Sequence, residues 1–163
     1  MESITVAIVA LVDNMETKLS DIGSERAVLA GLMQYGIDAY VTVSDIVTED
    51  TFTHINNQVL FKCISRIINN DQKVDIPSIL SASEQLNLHE SVNTDQEIKY
   101  IKSLLDFPIN KDNVFHFAIQ IKKFEFARKI KTLTAKIHKD IDNVTGSESI
   151  NEIIQMLESP VTD

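Results

Sequence analysis

Ser24-Glu25-Arg26-Ala27-Val28-Leu29-Ala30-Gly31-Leu32-Met33 decides the fold class, because it reads as the entry to a buried helix. A residue able to cap the first turn precedes good helix formers, and the apolar stripe that follows is broken only by Gly31. The stretch predicts a helix over Glu25 to Tyr35, with Ser24 as N-cap and Gly36 as the left-handed stop.

Downstream, the apolar period stays helical. A short helix is expected from Ala39 to Val47. The next runs from His54 to Asn69 and places Ile55, Val59, Leu60, Cys63, Ile64, Ile67 and Ile68 on one face. Asp75 ahead of Pro77 fits a cap with proline in the first turn of a helix reaching Leu86. Thr94-Asp95-Gln96-Glu97 has the form of a capping box and opens a helix carrying Ile98, Ile101, Leu104 and Leu105. Asn110 caps the longest element, Lys111 to Asp142. Along it Val114, Phe117, Ile121, Phe124, Ala127, Ile130, Leu133, Ile137 and Ile141 recur every three or four residues. At roughly 30 residues it far exceeds the usual helix of about 11 or 12. Asn143 to Ser147 breaks it, and Ser149 with Glu152 starts a last helix bearing Ile150, Ile153, Ile154 and Leu157 and ending before Pro160.

The expected fold class is therefore all-α: a compact bundle of about six helices followed by a protruding helical hairpin. The divisions are an N-terminal apolar arm at 1–21, a globular bundle at 22–121, the hairpin at 122–158 and a linker start at 159–163. The second half of the long helix has few preceding elements to cover it, so its apolar side should pair with another copy. Each buried Leu, Ile or Phe contributes roughly 1.5–3 kcal/mol. Four or five per chain could offset an association cost of order 4–15 kcal/mol.

Composition narrows the function classes. The 163 residues are 44% hydrophobic, enough for a core, and four glycines and three prolines suit helices. A net charge of −9 opposes a broad grip on a phosphate backbone. Cys63 is the single cysteine, which excludes an internal disulfide and fits a reducing, cytoplasmic setting. The run Ile4 to Val12 is too short to cross a bilayer, which takes about 20 residues, and Glu2 is wrong for a signal peptide. It reads as an arm that packs on its own domain or on a neighbour.

Chemistry-bearing motifs are missing. There is no phosphate-binding glycine loop and no nucleophile elbow, and the four histidines fall in four different segments without zinc-ligand spacing. Asp45, Glu49 and Asp50 read as solvated charges at a helix end. No catalytic, metal or cofactor residue is assigned. The exception to the acidic balance is the long helix, which carries Lys122, Lys123, Arg128, Lys129, Lys131, Lys136 and Lys139, seven of the 15 basic residues. They form either a face for DNA or an acidic partner, or simply the solvent side of an amphipathic helix. Phe115 and Phe126 fall off the apolar stripe and are candidate contacts.

Glu25-x-x-Val28-Leu29-x-Gly31-Leu32-Met33, then Phe52, Leu60-Phe61, Val74-Asp75, Asn113-x-x-x-Phe117-x-x-x-Ile121 and Ala127-Arg128 come in an order and spacing that resembles the N-terminal domain of the DnaB family of replicative hexameric helicases. The resemblance covers residues 22 to 158. Where that family has Gly-Gly before a Tyr-Leu pair, this chain has Asp95 to Ile101, which marks a divergent member, of a kind a phage could encode. The resemblance implies a non-catalytic collar whose hairpins dimerise, with three dimers forming a hexamer. It also implies docking of primase or a helicase loader, and ATP and Mg²⁺ only on a separate motor domain. Ile130, Leu133, Ile137, Ile141, Ile150, Ile153, Ile154 and Leu157 would then form the oligomer interface. Lys122, Lys123, Arg128, Lys129, Lys131 and Lys136 would be contacts for a partner or, weakly if at all, for DNA. The alternatives are a stand-alone collar-like protein that modulates a helicase, loader or primase, and an unrelated dimeric helical enzyme or carrier.

Overall fold

Asp21, three residues ahead of the expected cap, starts the first helix. Its carboxylate accepts from the Ser24 backbone N–H at 3.0 Å and from the Ser24 hydroxyl at 2.7 Å, so the serine closes the first turn from inside. The computed structural model describes residues 19–158, with side chains through Met156. The apolar run at 4–12, the rest of the arm up to residue 18, the Leu157 side chain and the segment 159–163 lie outside the described residues.

The order is α1 (Ile22–Tyr35), α2 (Ile37–Val43), a 3-10 turn (Glu49–Thr51), α3 (Ile55–Asn69), α4 (Ile76–Gln85), a second 3-10 turn (His89–Ser91), α5 (Asp95–Leu105), α6 (Lys111–Asp142) and α7 (Ile150–Glu158). The fold is all-α. Gly36, at φ 55°, turns the chain sharply from α1 into α2 while its N–H caps Leu32 O at 3.0 Å. As a result α2 begins and ends earlier than its expected span of Ala39 to Val47. At α5 only half of the expected capping box forms. Thr94 Oγ1 accepts from the Glu97 N–H at 3.2 Å, but the Glu97 carboxylate accepts from Asn56 Nδ2 at 2.6 Å instead of reaching back.

Helix α1 lies at the centre and packs on α2, α3, α5 and α6. Val28, Leu29 and Leu32 meet Leu60, Ile64 and Ile67 of α3, Ile101 and Leu104 of α5, and Val114, Ala118 and Ile121 of α6. Cys63 is part of this core, and burial pushes its thiol up to about 11. Gly31 sets the spacing between α1 and α6, because a Cβ there would lie 2.3 Å from Val114 Cγ2 and 3.0 Å from Cγ1. Gly31→Ala is therefore expected to cost about 1–3 kcal/mol through overpacking. Urea denaturation of Gly31→Ala against Gly31→Ala/Val114→Ala measures this, since trimming the valine should recover part of the loss.

A polar network crosses the core. Glu25, fully buried on α1, accepts from Thr53 N at 2.8 Å, from the Thr53 hydroxyl and from Asn57 Nδ2 at 2.7 Å. Asn57 Oδ1 in turn accepts from the Tyr100 hydroxyl at 2.7 Å. Burial is the main cause that raises this phenol to about 12. Every buried oxygen here has a donor, which is the condition for keeping a carboxylate inside. The same network explains why Ile55, expected on the inner face of α3, is 63% exposed. In that first turn Asn57 takes the inward position.

Helix α6 changes sides along its length. At about 100° per residue, Val114, Ala118, Ile121 and Glu125 share the side against the globule, and all four are buried. The expected stripe then advances by four successive three-residue steps, Ile121 to Leu133, each about 60° short of a full turn. Ile130, Leu133, Ile137 and Ile141 consequently face roughly away from the core. No side chain of α6 beyond Glu125 is buried.

Candidate self-association surface

The long helix α6 packs on α7, the described helix that follows it. The turn between them is held by Glu148, whose carboxylate accepts from the N–H groups of Thr145 at 3.0 Å and Gly146 at 2.9 Å. Ser149 and Glu152 then form the expected capping box: Ser149 N–H donates to Glu152 Oε2 at 2.6 Å and Glu152 N–H to Ser149 Oγ at 3.3 Å. The pair returns along α6 as a hairpin. Leu133, Ile137 and Ile153 are half-buried. Ile130 (46%), Ile141, Ile150 (77%) and Ile154 stay exposed. Exposed large apolar side chains are thus present on both helices of the hairpin.

The ridge extends further back than the expected set. Phe126 is 65% exposed, and Phe115 and the half-buried Ile119 continue the line. Phe115/Ile119, Phe126/Ile130 and Ile137/Ile141 are three apolar pairs of i, i+4 spacing repeated every eleven residues. An 11-residue period, at 3.67 residues per turn, stays almost in line with a straight helix.

The root of the hairpin is latched to the globule through polar groups on α6. Glu125, 2% exposed, sits where an apolar residue would be expected. It accepts from the Thr51 hydroxyl at 2.7 Å, and it pairs with Lys122 at 2.8 Å and Lys129 at 2.6 Å. Burial, the largest single influence, pushes its carboxyl up. The hydrogen bonds from Lys122, Lys129 and Thr51 and the charge of Lys122 together outweigh it and hold the group at about 2. The hydrogen bond to Glu125, and then its charge, raise Lys129 in turn. Next to it, Arg128 Nη1 donates to Leu19 O at 2.8 Å, while Nη2 donates to Asp50 O at 3.1 Å and Thr51 O at 3.0 Å. Three carbonyls from two separate segments are thus gathered by one guanidinium.

Within the expected basic contact set, Lys122, Arg128 and Lys129 have the partners just described, Lys131 also takes part in an interaction, and Lys123 and Lys136 are exposed. Arg128→Lys should cost about 1–3 kcal/mol, since one ammonium cannot reach all three carbonyls. Comparing its urea midpoint with that of Lys123→Ala, expected to move within about 0.5 kcal/mol, checks the assignment. The buried Glu125 was not anticipated, although its signal was present. It is an acid on the inward side of α6 with lysines at i−3 and i+4. Asp45, Glu49 and Asp50 form no metal-binding group among the described residues.

The described residues thus form an all-helical globule built around a central α1, with a latched and apolar helical hairpin at one end. A family model described as the DnaB-like helicase N terminal domain matches residues 17–123, and the chain belongs to that family. Among solved structures, the crystal structure of the N-terminal domain of DnaB helicase from Mycobacterium tuberculosis is similar in fold. The TM-score is 0.73 at 14% identity, over 87% of this chain and 96% of that one. No match is found among curated proteins.

Proposed function

We propose that this chain is the collar of a replicative DNA helicase, which self-associates through its hairpin and helps assemble the motor. The observation that carries the reading is the ridge formed by Ile130, Ile141, Ile150 and Ile154, left uncovered by the chain's own globule. With Leu133, Ile137 and Ile153 at its base, it offers two copies a self-complementary apolar surface. Leu157 belongs to the same expected surface. In this reading residues 22–121 are the body and 122–158 the arm of the interface, and three dimers build a hexamer.

Docking of primase or a loader follows from the collar reading through the family. The exposed cations for such a partner are Lys123 and Lys136, with DNA contact weak at a net charge of −9. ATP and Mg²⁺ would belong to a motor domain and not to these residues. No helix among the described residues is long and apolar enough to cross a membrane, and the reading places the protein in the cytoplasm, where replication factors act. Sedimentation equilibrium tests it at micromolar concentration. A mass of twice or six times 18.3 kDa is expected, and a strict monomer rejects it.

A further inference from the structure

A cleft of about 260 Å³ opens between α1, α3 and α5, lined among others by Arg26, His54, Asn56, Gln96, Glu97 and Tyr100. We propose that this cleft is a docking site for an acidic peptide segment of a partner protein, one carboxylate of which sits on the Arg26 guanidinium. The proposal does not rest on the collar reading and uses no residue of the hairpin.

Arg26 is a cation without a counter-ion. Its guanidinium is a fork of N–H donors, yet its one hydrogen bond among the described residues runs from Nη2 to Ser103 Oγ, at a long 3.4 Å. Nε is buried without a partner. A charged group so poorly satisfied is costly until an acceptor completes it. The group is nonetheless held in place. Its central carbon lies 5.7 Å from the Tyr100 ring centroid and 5.5 Å from that of Phe107, and the Tyr100 hydroxyl is itself fixed on Asn57. The side chain is therefore already ordered, which lowers the cost of binding an incoming oxygen.

Two acids select the occupant. Glu25 is taken up by Thr53 and Asn57, and Glu97 Oε1 accepts from Asn56, so neither pairs with Arg26. One cation flanked by two carboxylates disfavours a phosphate dianion or a nucleic-acid backbone. It suits a single carboxylate with an N–H donor beside it, which Glu97 Oε2 can accept. An Asp or Glu side chain next to its backbone amide has this form. The exposed side-chain amide of Gln96 makes no hydrogen bond among the described residues and matches a peptide group in kind. Ile55, 63% exposed between the lining residues His54 and Asn56, adds an apolar contact outside the cleft. A peptide with an apolar residue beside its acid uses that contact, and a small free acid does not.

Isotope labelling of arginine Nε in the full chain tests this by nuclear magnetic resonance. The three arginines give one signal each, from Arg26, Arg66 and Arg128. The last two are controls, since Arg66 Nε donates to Gln85 and Arg128 is occupied by carbonyls. The probes are acetyl-Leu-Asp-Leu-amide, its Asn counterpart and inorganic phosphate. The expected result is a saturable shift of the Arg26 signal alone, with the Asp peptide binding roughly fivefold or more tighter than either other probe. His54→Glu, at an exposed position, places a second carboxylate at the mouth and should weaken the Asp peptide several-fold while the control signals stay put. Equal binding of the Asp and Asn peptides, phosphate binding as tightly, no shift at Arg26 or indifference to His54→Glu would each overturn the proposal. So would an Arg26 signal that moves with protein concentration alone, because a second copy would then fill the cleft.

Discussion

Ile137→Asp is expected to separate the oligomer into folded monomers. In a two-fold interface each substitution acts twice. Each copy loses roughly 1.5–3 kcal/mol of apolar burial and presents a carboxylate that must keep its water. The combined loss of about 4–6 kcal/mol corresponds to a dissociation constant weaker by at least about a thousandfold. Because Ile137 is half-buried, part of its effect could fall on the hairpin itself. Ile154→Asp separates the two. Ile154 is 45% exposed, so its substitution should spare the hairpin and still break the association. Sedimentation equilibrium of both variants beside far-ultraviolet circular dichroism is the measurement. Monomeric mass with unchanged helicity supports the ridge as the interface. An oligomer that persists in both variants places the interface elsewhere.

What could be read from the sequence depended on how local the governing physics is. The bounds of α6, Lys111 to Asp142, were legible because Asn110 and the Asn143 to Ser147 break act on neighbouring residues. Asn110 Oδ1 does accept from the Asp112 N–H, at 3.0 Å. The hairpin was legible for the same reason, through Ser149 and Glu152. Capping failed where a competing partner lay far away in sequence. Glu97 was drawn off its cap by Asn56, 41 residues earlier, and Ile55 was displaced from the inner face by Asn57, which serves Glu25 from 32 residues away.

The stripe on α6 shows a subtler loss. Counting threes and fours finds a helix but does not track phase, so the half-turn shift between the buried and open faces was hidden. The eleven-residue repeat of Phe115/Ile119, Phe126/Ile130 and Ile137/Ile141 was hidden with it. That shift is what turns one amphipathic helix into both a core element and an outward ridge. Likewise, a count of lysines could suggest a basic face. Only the folded chain shows that a buried acid claims Lys122 and Lys129 and that carbonyls claim Arg128.

That buried acid gives the largest expected effect on stability. Glu125→Ala should destabilise the fold by about 2–3 kcal/mol at neutral pH, because the buried Thr51 hydroxyl loses its acceptor and two lysines lose their shared partner. Glu125→Gln keeps an oxygen for Thr51 and should cost less, about 1–2 kcal/mol. The pH dependence identifies the charge as the cause. In the folded protein the carboxyl is held at about 2, against 4.5 when unperturbed. A depressed folded value means that the unfolded chain binds the proton first as pH falls. The contribution is therefore fully present above pH 4.5 and is lost as pH drops toward 2. The gap in unfolding free energy between the wild type and Glu125→Gln should accordingly stay constant from pH 7 to about 5 and close progressively below that. The exposed lysines lower its size through solvent screening without changing its direction. Urea titrations at pH 7, 5, 4 and 3 measure it. A gap that persists undiminished at pH 3 would mean that the hairpin root is held by packing around Arg128 and Thr51, with no net contribution from the ionised Glu125.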